Sequence, residues 1–347
     1  MRTLLLIALC VLSTSCYTAA SGRSNFGTPL TNRNGMVQYQ YIDRNGKPAI
    51  GAAHFHKARS FSNGLAAVMS ESQLWGFINK SGQVAIEPLY EEVGDFSEGL
   101  AAARLPERPS GSIPAGWMFI DTAGRERFRV NYDIVYDFSE NVALAQGEKA
   151  VYLIGKEGNV RKLFDLVDLS LGSESRPKFS EGLLAVRDVH TKKYGYVDVN
   201  GKMVIAPRFD NAAPFKENVA RVSIKVEGRD LLGFVRKDGT LLFPPRFDID
   251  LDFLRNSRDF SENLAGIAAL IADADEPNFI FVNKAGVTVF TTTSVDVGNF
   301  REGLAFFFDS ISGKYGYLDS SGRTVIPPSF EHVADFSEGL ACVAISN

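Results

Sequence analysis

Apolar residues along this chain come in stretches of four or five, too short for helices, separated by polar breaks rich in glycine and proline. Eight of these stretches are aromatic and alternate as strands do. They are Tyr39-Gln40-Tyr41-Ile42, Trp75-Gly76-Phe77-Ile78, Trp117-Met118-Phe119-Ile120, Val151-Tyr152-Leu153-Ile154, Tyr194-Gly195-Tyr196-Val197, Leu232-Gly233-Phe234-Val235, Phe279-Ile280-Phe281-Val282 and Tyr315-Gly316-Tyr317-Leu318. A glycine follows each stretch at a constant distance: Gly46, Gly82, Gly124, Gly158, Gly201, Gly239, Gly286 and Gly322. Glycine takes positive φ without steric cost, so this spacing predicts a tight hairpin into a second, antiparallel strand. That strand is β-branched, as in Val84-Ala85-Ile86 and Thr324-Val325-Ile326. Proline, which cannot donate to a ladder, is expected to end it at Pro88, Pro207, Pro244-Pro245 and Pro327-Pro328.

An aromatic-acid pair follows, such as Tyr90-Glu91 or Phe330-Glu331, and then a five-residue phrase that is plainest as Phe336-Ser337-Glu338-Gly339-Leu340. The phrase also starts at Phe61, Phe96, Phe138, Phe179, Phe215, Phe260 and Phe300. A recurrence of this kind marks a repeat architecture. Its fourth position is Gly64, Gly99, Gly182, Gly303 or Gly339 in five copies, and Asn141, Asn218 or Asn263 in three. Gly and Asn share a tolerance for the left-handed region, so the phrase reads as a turn with one residue at positive φ, leading into a third strand. Its recurring acid (Glu98, Glu140, Glu181, Glu217, Glu262, Glu302, Glu338, with Asn63 in the first copy) is expected to accept backbone N–H groups in its own turn.

The aromatic-Gly pair, the hairpin glycine, Val-Ile-x-Pro and Phe-Ser-Glu-Gly-Leu together resemble the WG (KWG) repeat family of bacterial proteins. The resemblance covers about residues 37–347. The naming pair is complete only at Trp75-Gly76, and Trp117 is followed by Met118. Family resemblance implies a repeat scaffold, often exported or in the envelope, with no shared active site to carry onto this chain. The fold class expected is all-β: eight hairpin-and-meander units, as a closed propeller-like ring or, alternatively, an open solenoid. Closure is favoured because the repeats begin at Tyr39 without a cap. Pairing of the last strand, Leu340-Ala341-Cys342-Val343, with the first would then leave no free edge.

Composition adds an address more than a chemistry. With 37 basic and 41 acidic residues the formal net charge is −4, which gives no basic face for nucleic acid. Residues 1–16 read as a secretory signal: a cationic start, an apolar run from Leu4 to Leu12, then small residues. Cys16 stands where a lipoprotein signal carries its lipidated cysteine, although Ser13 occupies the usual Leu position. Residues 17–36 read as a flexible tether. The expected location is therefore outside the cytoplasm, anchored by lipid at Cys16 or else secreted.

Candidate chemistry is sparse. Cys342 aligns with alanines of other units and reads as a small core residue. His54 and His56 share a strand face, but the other histidines lie in distant units, so no metal or cofactor is expected. No nucleophile elbow, zinc helix or phosphate loop occurs. Trp75, Trp117, Tyr194 and Tyr315 are candidates for an exposed aromatic face that would stack on glycan. The leading expectation is a non-catalytic scaffold for an unidentified protein partner at the envelope, with specificity in the insertions at 105–115, 165–178, 249–259 and 273–277; the alternative is a cell-wall or glycan-binding module.

Overall fold

The computed structural model describes residues 38–106, 116–171, 176–245, 247–248, 257–269 and 278–345. The expected signal segment, the tether and Cys16 lie outside the described residues, as do 107–115, 172–175, 249–256 and 273–277 of the insertions. The described residues form strands in eight small antiparallel sheets, the blades of a propeller.

One blade shows the plan. Its strands lie in the order Glu92–Val93, Leu100–Arg104, Trp117–Asp121, Glu126–Val130. The two middle strands are buried along nearly their whole length, because both faces of a blade are covered by its neighbours. The core therefore lies between blades. Trp75, Phe77 and Ile86 of one blade pack against Val93, Phe96, Ala101, Met118 and Ile120 of the next. Outer strands alternate instead: along Val84–Tyr90, only Ile86 and Tyr90 are buried.

Sequence unit and blade are out of step. The hairpin that opens a unit pairs with the third strand of the unit before it, as Trp117–Asp121 does with Leu100–Arg104. The first hairpin, Gln38–Ile42 with Pro48–His54, consequently needs a partner from the far end of the chain. It finds Ala341–Ile345, with Tyr39 opposite Ala344, Gln40 opposite Val343 and Tyr41 opposite Cys342. His332–Val333 completes this four-stranded blade. The ring is closed, which excludes the open solenoid.

The hairpins are built as expected. Asp43 accepts the Gly46 N–H at 2.9 Å and donates its own N–H to the Lys47 carbonyl at 2.8 Å, with Gly46 at φ 77°. This is a three-residue loop closed by a left-handed glycine. The Asp43 carboxylate also takes the N–H groups of Asn45 and Lys47, and these bonds hold it below its usual pKa.

Proline needs a correction. No strand passes through Pro244-Pro245, but at the other three of the four places the outer strand does not stop at proline and runs through it, in Val84–Tyr90, Met203–Phe209 and Thr324–Phe330. In each the ladder skips residues: Phe77 faces Ile86, whereas Trp75 faces Tyr90. The bulge accommodates the missing donor on an edge strand. It also explains the glycine of the aromatic-Gly pair. A Cβ on Gly76 would come within 2.6 Å of the Ile86 carbonyl oxygen and 2.7 Å of the Pro88 nitrogen, and Gly195 and Gly316 face Pro207 and Pro328 in the same way. Units with Met118, Tyr152 or Ile280 at this place have no proline in their second strand, and in the unit with Gln40 the proline, Pro48, is the first residue of the strand. Where Met118 stands, the outer strand passes it without a bulge, Met118 opposite Arg129.

Candidate functional site: the axial ring of turns

Each phrase is a two-residue β-turn. Ser337 and Leu340 exchange both backbone hydrogen bonds, at 2.8 and 3.1 Å, and the other seven copies bridge likewise. The expectation of one left-handed residue per turn is corrected to two. The third residue lies at φ 52–56° in all eight copies, and the fourth at 65–88°. Two consecutive positive φ values are those of a type I′ turn. Gly64, Gly99, Gly182, Gly303, Gly339, Asn141, Asn218 and Asn263 thus sit at its second corner. The first corner is occupied by glutamate in seven copies, which the left-handed region does not favour.

The reason is across the blade boundary. Each acidic side chain accepts the backbone N–H of the fourth residue in the next blade's turn, not of its own. Glu98 takes Asn141, Glu140 takes Gly182, Glu181 takes Asn218, Glu217 takes Asn263, Glu262 takes Gly303 and Glu302 takes Gly339. Asn63 serves Gly99, and Glu338 closes the circle onto Gly64. The shortest contact at each of the eight links is 2.7–3.1 Å. Serine adds a second ring: Ser62, Ser139, Ser180 and Ser261 donate to the Phe96, Phe179, Phe215 and Phe300 carbonyls, and Ser337 to that of Phe61. Four lysines from hairpin loops, Lys80, Lys156, Lys237 and Lys284, pair with Glu338, Glu98, Glu181 and Glu217 at 2.9–3.1 Å. For Glu98, burial raises the pKa, but Lys156 and the Asn141 N–H outweigh it and hold the carboxyl below its usual value. The phenylalanine that opens each phrase is buried. It packs edge-on or tilted against an aromatic ring of the preceding blade in seven copies, as Phe336 does against Tyr317 at 4.9 Å.

Inside this ring lies an axial cavity of about 650 Å³, lined by phrase residues and by the residues just before them. Asp95, Asp137, Lys178, Arg301 and Asp335 face it. Arg176 bridges Asp95 and Asp137 at 3.0 and 2.9 Å, and Arg59 holds Asp95 at 3.1 Å. Burial pushes the Asp95 carboxyl up, but two guanidiniums prevail and leave it low. Asp137 has only a share of Arg176, so burial wins there and its pKa is raised. Asp335 is also raised by burial; its Oδ2 accepts the Asn299 amide at 3.4 Å, and its Oδ1 is buried without a partner.

The other candidates do not converge here. Trp75, Trp117 and Tyr194 are buried and Tyr315 is partly buried, which corrects the exposed aromatic face: these rings fill blade junctions. Arg59 lies over Trp75 at 4.4 Å and Arg104 over Trp117 at 5.4 Å, covering what the core leaves. Cys342 is buried, and burial pushes its thiol up to about 12. Among the described residues no group of three His, Cys, Asp or Glu side chains is placed to hold a metal ion. Sequence reasoning missed the axial cations. The available signal was their departure from the repeat: Arg301 stands where most copies have Ser, and Lys178 where others have Asp or Ser.

Fold and ring together define an eight-bladed β-propeller held at its axis by repeated turns. Five of its units, residues 41–72, 75–105, 117–146, 194–225 and 315–347, match the family described as WG containing repeat. The chain carries the WG repeat, as its motifs suggest. No curated protein matches the chain. Among solved structures, a Kluyveromyces lactis Hsv2 is 10% identical, with 82% of this chain and 98% of that one covered and a TM-score of 0.46. A quinonprotein alcohol dehydrogenase-like protein from Bacteroides thetaiotaomicron is 9% identical, with 89% and 90% covered and a TM-score of 0.40. A Saccharomyces cerevisiae complex of Dbp5 with Nup159 and Gle1 gives 11% identity, 73% and 88% coverage and a TM-score of 0.39.

Proposed function

We propose that this propeller is a non-catalytic scaffold for protein–protein contact at the bacterial cell envelope, exported and anchored by lipid at Cys16. One observation carries the reading: the repeated residues are occupied by the fold. The phrase acids bind the next blade, the phrase phenylalanines and the strand aromatics fill the junctions, and the hairpin glycines turn the chain. Specificity then belongs to what differs between units, the insertions at 105–115, 165–178, 249–259 and 273–277. Loops on a rigid scaffold suit this role because they change without disturbing the core.

The test compares envelope-extract pull-downs by the full chain and by a form lacking 105–115. The scaffold reading expects a reproducible partner for the full chain that is lost on deletion of that loop or of one other insertion. Identical captures from the full chain and all four deletion forms would refute it. For the anchor, mass spectrometry of the mature N-terminus should find a lipidated Cys16; an unmodified start beyond it rules lipidation out.

A further inference from the structure

The axial cavity holds two cations that the fold does not use. Arg301 occupies the phrase position at which serine elsewhere donates to the next blade's phenylalanine carbonyl, so this unit gives up that bond. Lys178 occupies the position before the phrase, where Asp95, Asp137, Asp259 and Asp335 stand in other units. Neither makes an ion pair among the described residues, and both line the cavity. They also act on each other: Lys178 is shifted down first by burial, then by Lys216, against the opposing pull of Asp137, and more weakly by Arg301 and Arg176. Gathering like charges raises the energy of the ring, and no hydrogen bond or ion pair made by either side chain among the described residues offsets it.

Nearby acids compensate them only in part: Asp137 attracts Lys178 and Asp335 attracts Arg301, without an ion pair in either case. Asp95 and Asp137 are committed to Arg59 and Arg176, and Asp259 to Lys216 and Arg221 at 3.3 and 2.9 Å. Glu262, Glu302 and Glu338 each hold an amide of the next turn. Asp335 is the remaining carboxyl, and burial favours its neutral form. A cavity of about 650 Å³ falls in the usual range for small-molecule sites.

We propose that the axial cavity binds a small oxyanion, a phosphoryl- or carboxylate-bearing molecule, between Lys178 and Arg301. Arg301 supplies a planar fork of donors and Lys178 a point charge, a combination suited to either headgroup. Lys178 closes the insertion at 165–178, but anion binding is read without a partner protein, so its failure and that of the scaffold reading are distinguishable.

Calorimetric titration of the full chain with inorganic phosphate and, separately, with succinate tests it. The two arms distinguish the headgroups. Arg301→Ser and Lys178→Ser install residues that other units already carry, so both variants are expected to fold with an unchanged or higher Tm. Saturable binding of at least one anion by the natural chain is expected, weakened roughly tenfold or more in each single variant and abolished in the double variant. Absence of saturable binding for both anions would overturn the proposal. So would equal binding by the folded double variant.

Discussion

Glu338 is held at φ 55°, a conformation that disfavours every side chain but glycine's and, to a smaller degree, those of Asn and Asp. It persists because its carboxylate is fixed on the Gly64 N–H, on the blade that follows across the chain ends, and on Lys80. Removing the carboxylate keeps the strain and loses the bonds. Glu338→Ala should therefore destabilise the protein by about 1–2 kcal/mol in urea unfolding, and Glu338→Gln, which retains an acceptor, by less. At the neighbouring position there is open space around a Cβ, so only the backbone decides. Gly339→Val should cost about 1–2 kcal/mol and Gly339→Asn little, because three units already carry Asn there; equal losses would contradict the turn geometry. The Gly/Asn exchange made the fourth position legible in the sequence. The third was not, because a glutamate in a turn satisfies a local reading equally well, and its partner lies 36 to 274 residues away.

At the scale of the element, the outer strand shows how a rule can be right in its physics and wrong in its placement. Proline cannot donate, and that led to the expectation of a strand end. The edge of a blade tolerates a bulge instead, and the bulge presses its backbone onto a glycine of the middle strand. The pairing of Gly195 with Pro207 is thus one device written in two places. Gly195→Ala would put a Cβ 2.4 Å from the Ile205 carbonyl oxygen and should destabilise by about 1–3 kcal/mol. At position 118, which the outer strand passes in register with Arg129 opposite, Met118→Ala should behave as an ordinary core truncation. Thermal unfolding of the two variants separates the cases; a silent Gly195→Ala would show that the bulge relaxes freely. The aromatic stretches announced the strands but not their burial, since alternating rings suit a packed junction and an exposed stacking face alike. Only the blade on the far side decides between them.

For the whole molecule, closure was legible from an uncapped start and a repeat that ends on a strand. The half-step between unit and blade was not, because local spacing does not say which neighbour a third strand joins. Buried acids give the protein a pH response. Asp137, Asp296 and Asp335 have raised pKa values in the folded protein, so it binds protons there before the unfolded chain does. Stability should rise as pH falls from neutral toward the ordinary carboxylate range near ~4. Glu98, Asp95 and Asp259 are depressed, and the stability they contribute is lost as pH falls further and they protonate. Tm against pH should accordingly pass through a mildly acidic maximum; a monotonic fall from neutral pH would show that the raised acids do not control the response.

The central claim is that the repeated phrase clasps one blade to the next and that the last clasp joins the two ends of the chain. Amide hydrogen exchange at Gly64, read by NMR in the natural protein and in Glu338→Ala, tests it most directly. The Gly64 N–H depends on Glu338 across 274 residues of sequence. The clasp predicts a protected Gly64 amide that exchanges much faster in the variant, while Gly182 and Gly303, held by Glu140 and Glu262, keep their protection. Unchanged exchange at Gly64 in a folded Glu338→Ala protein would contradict it.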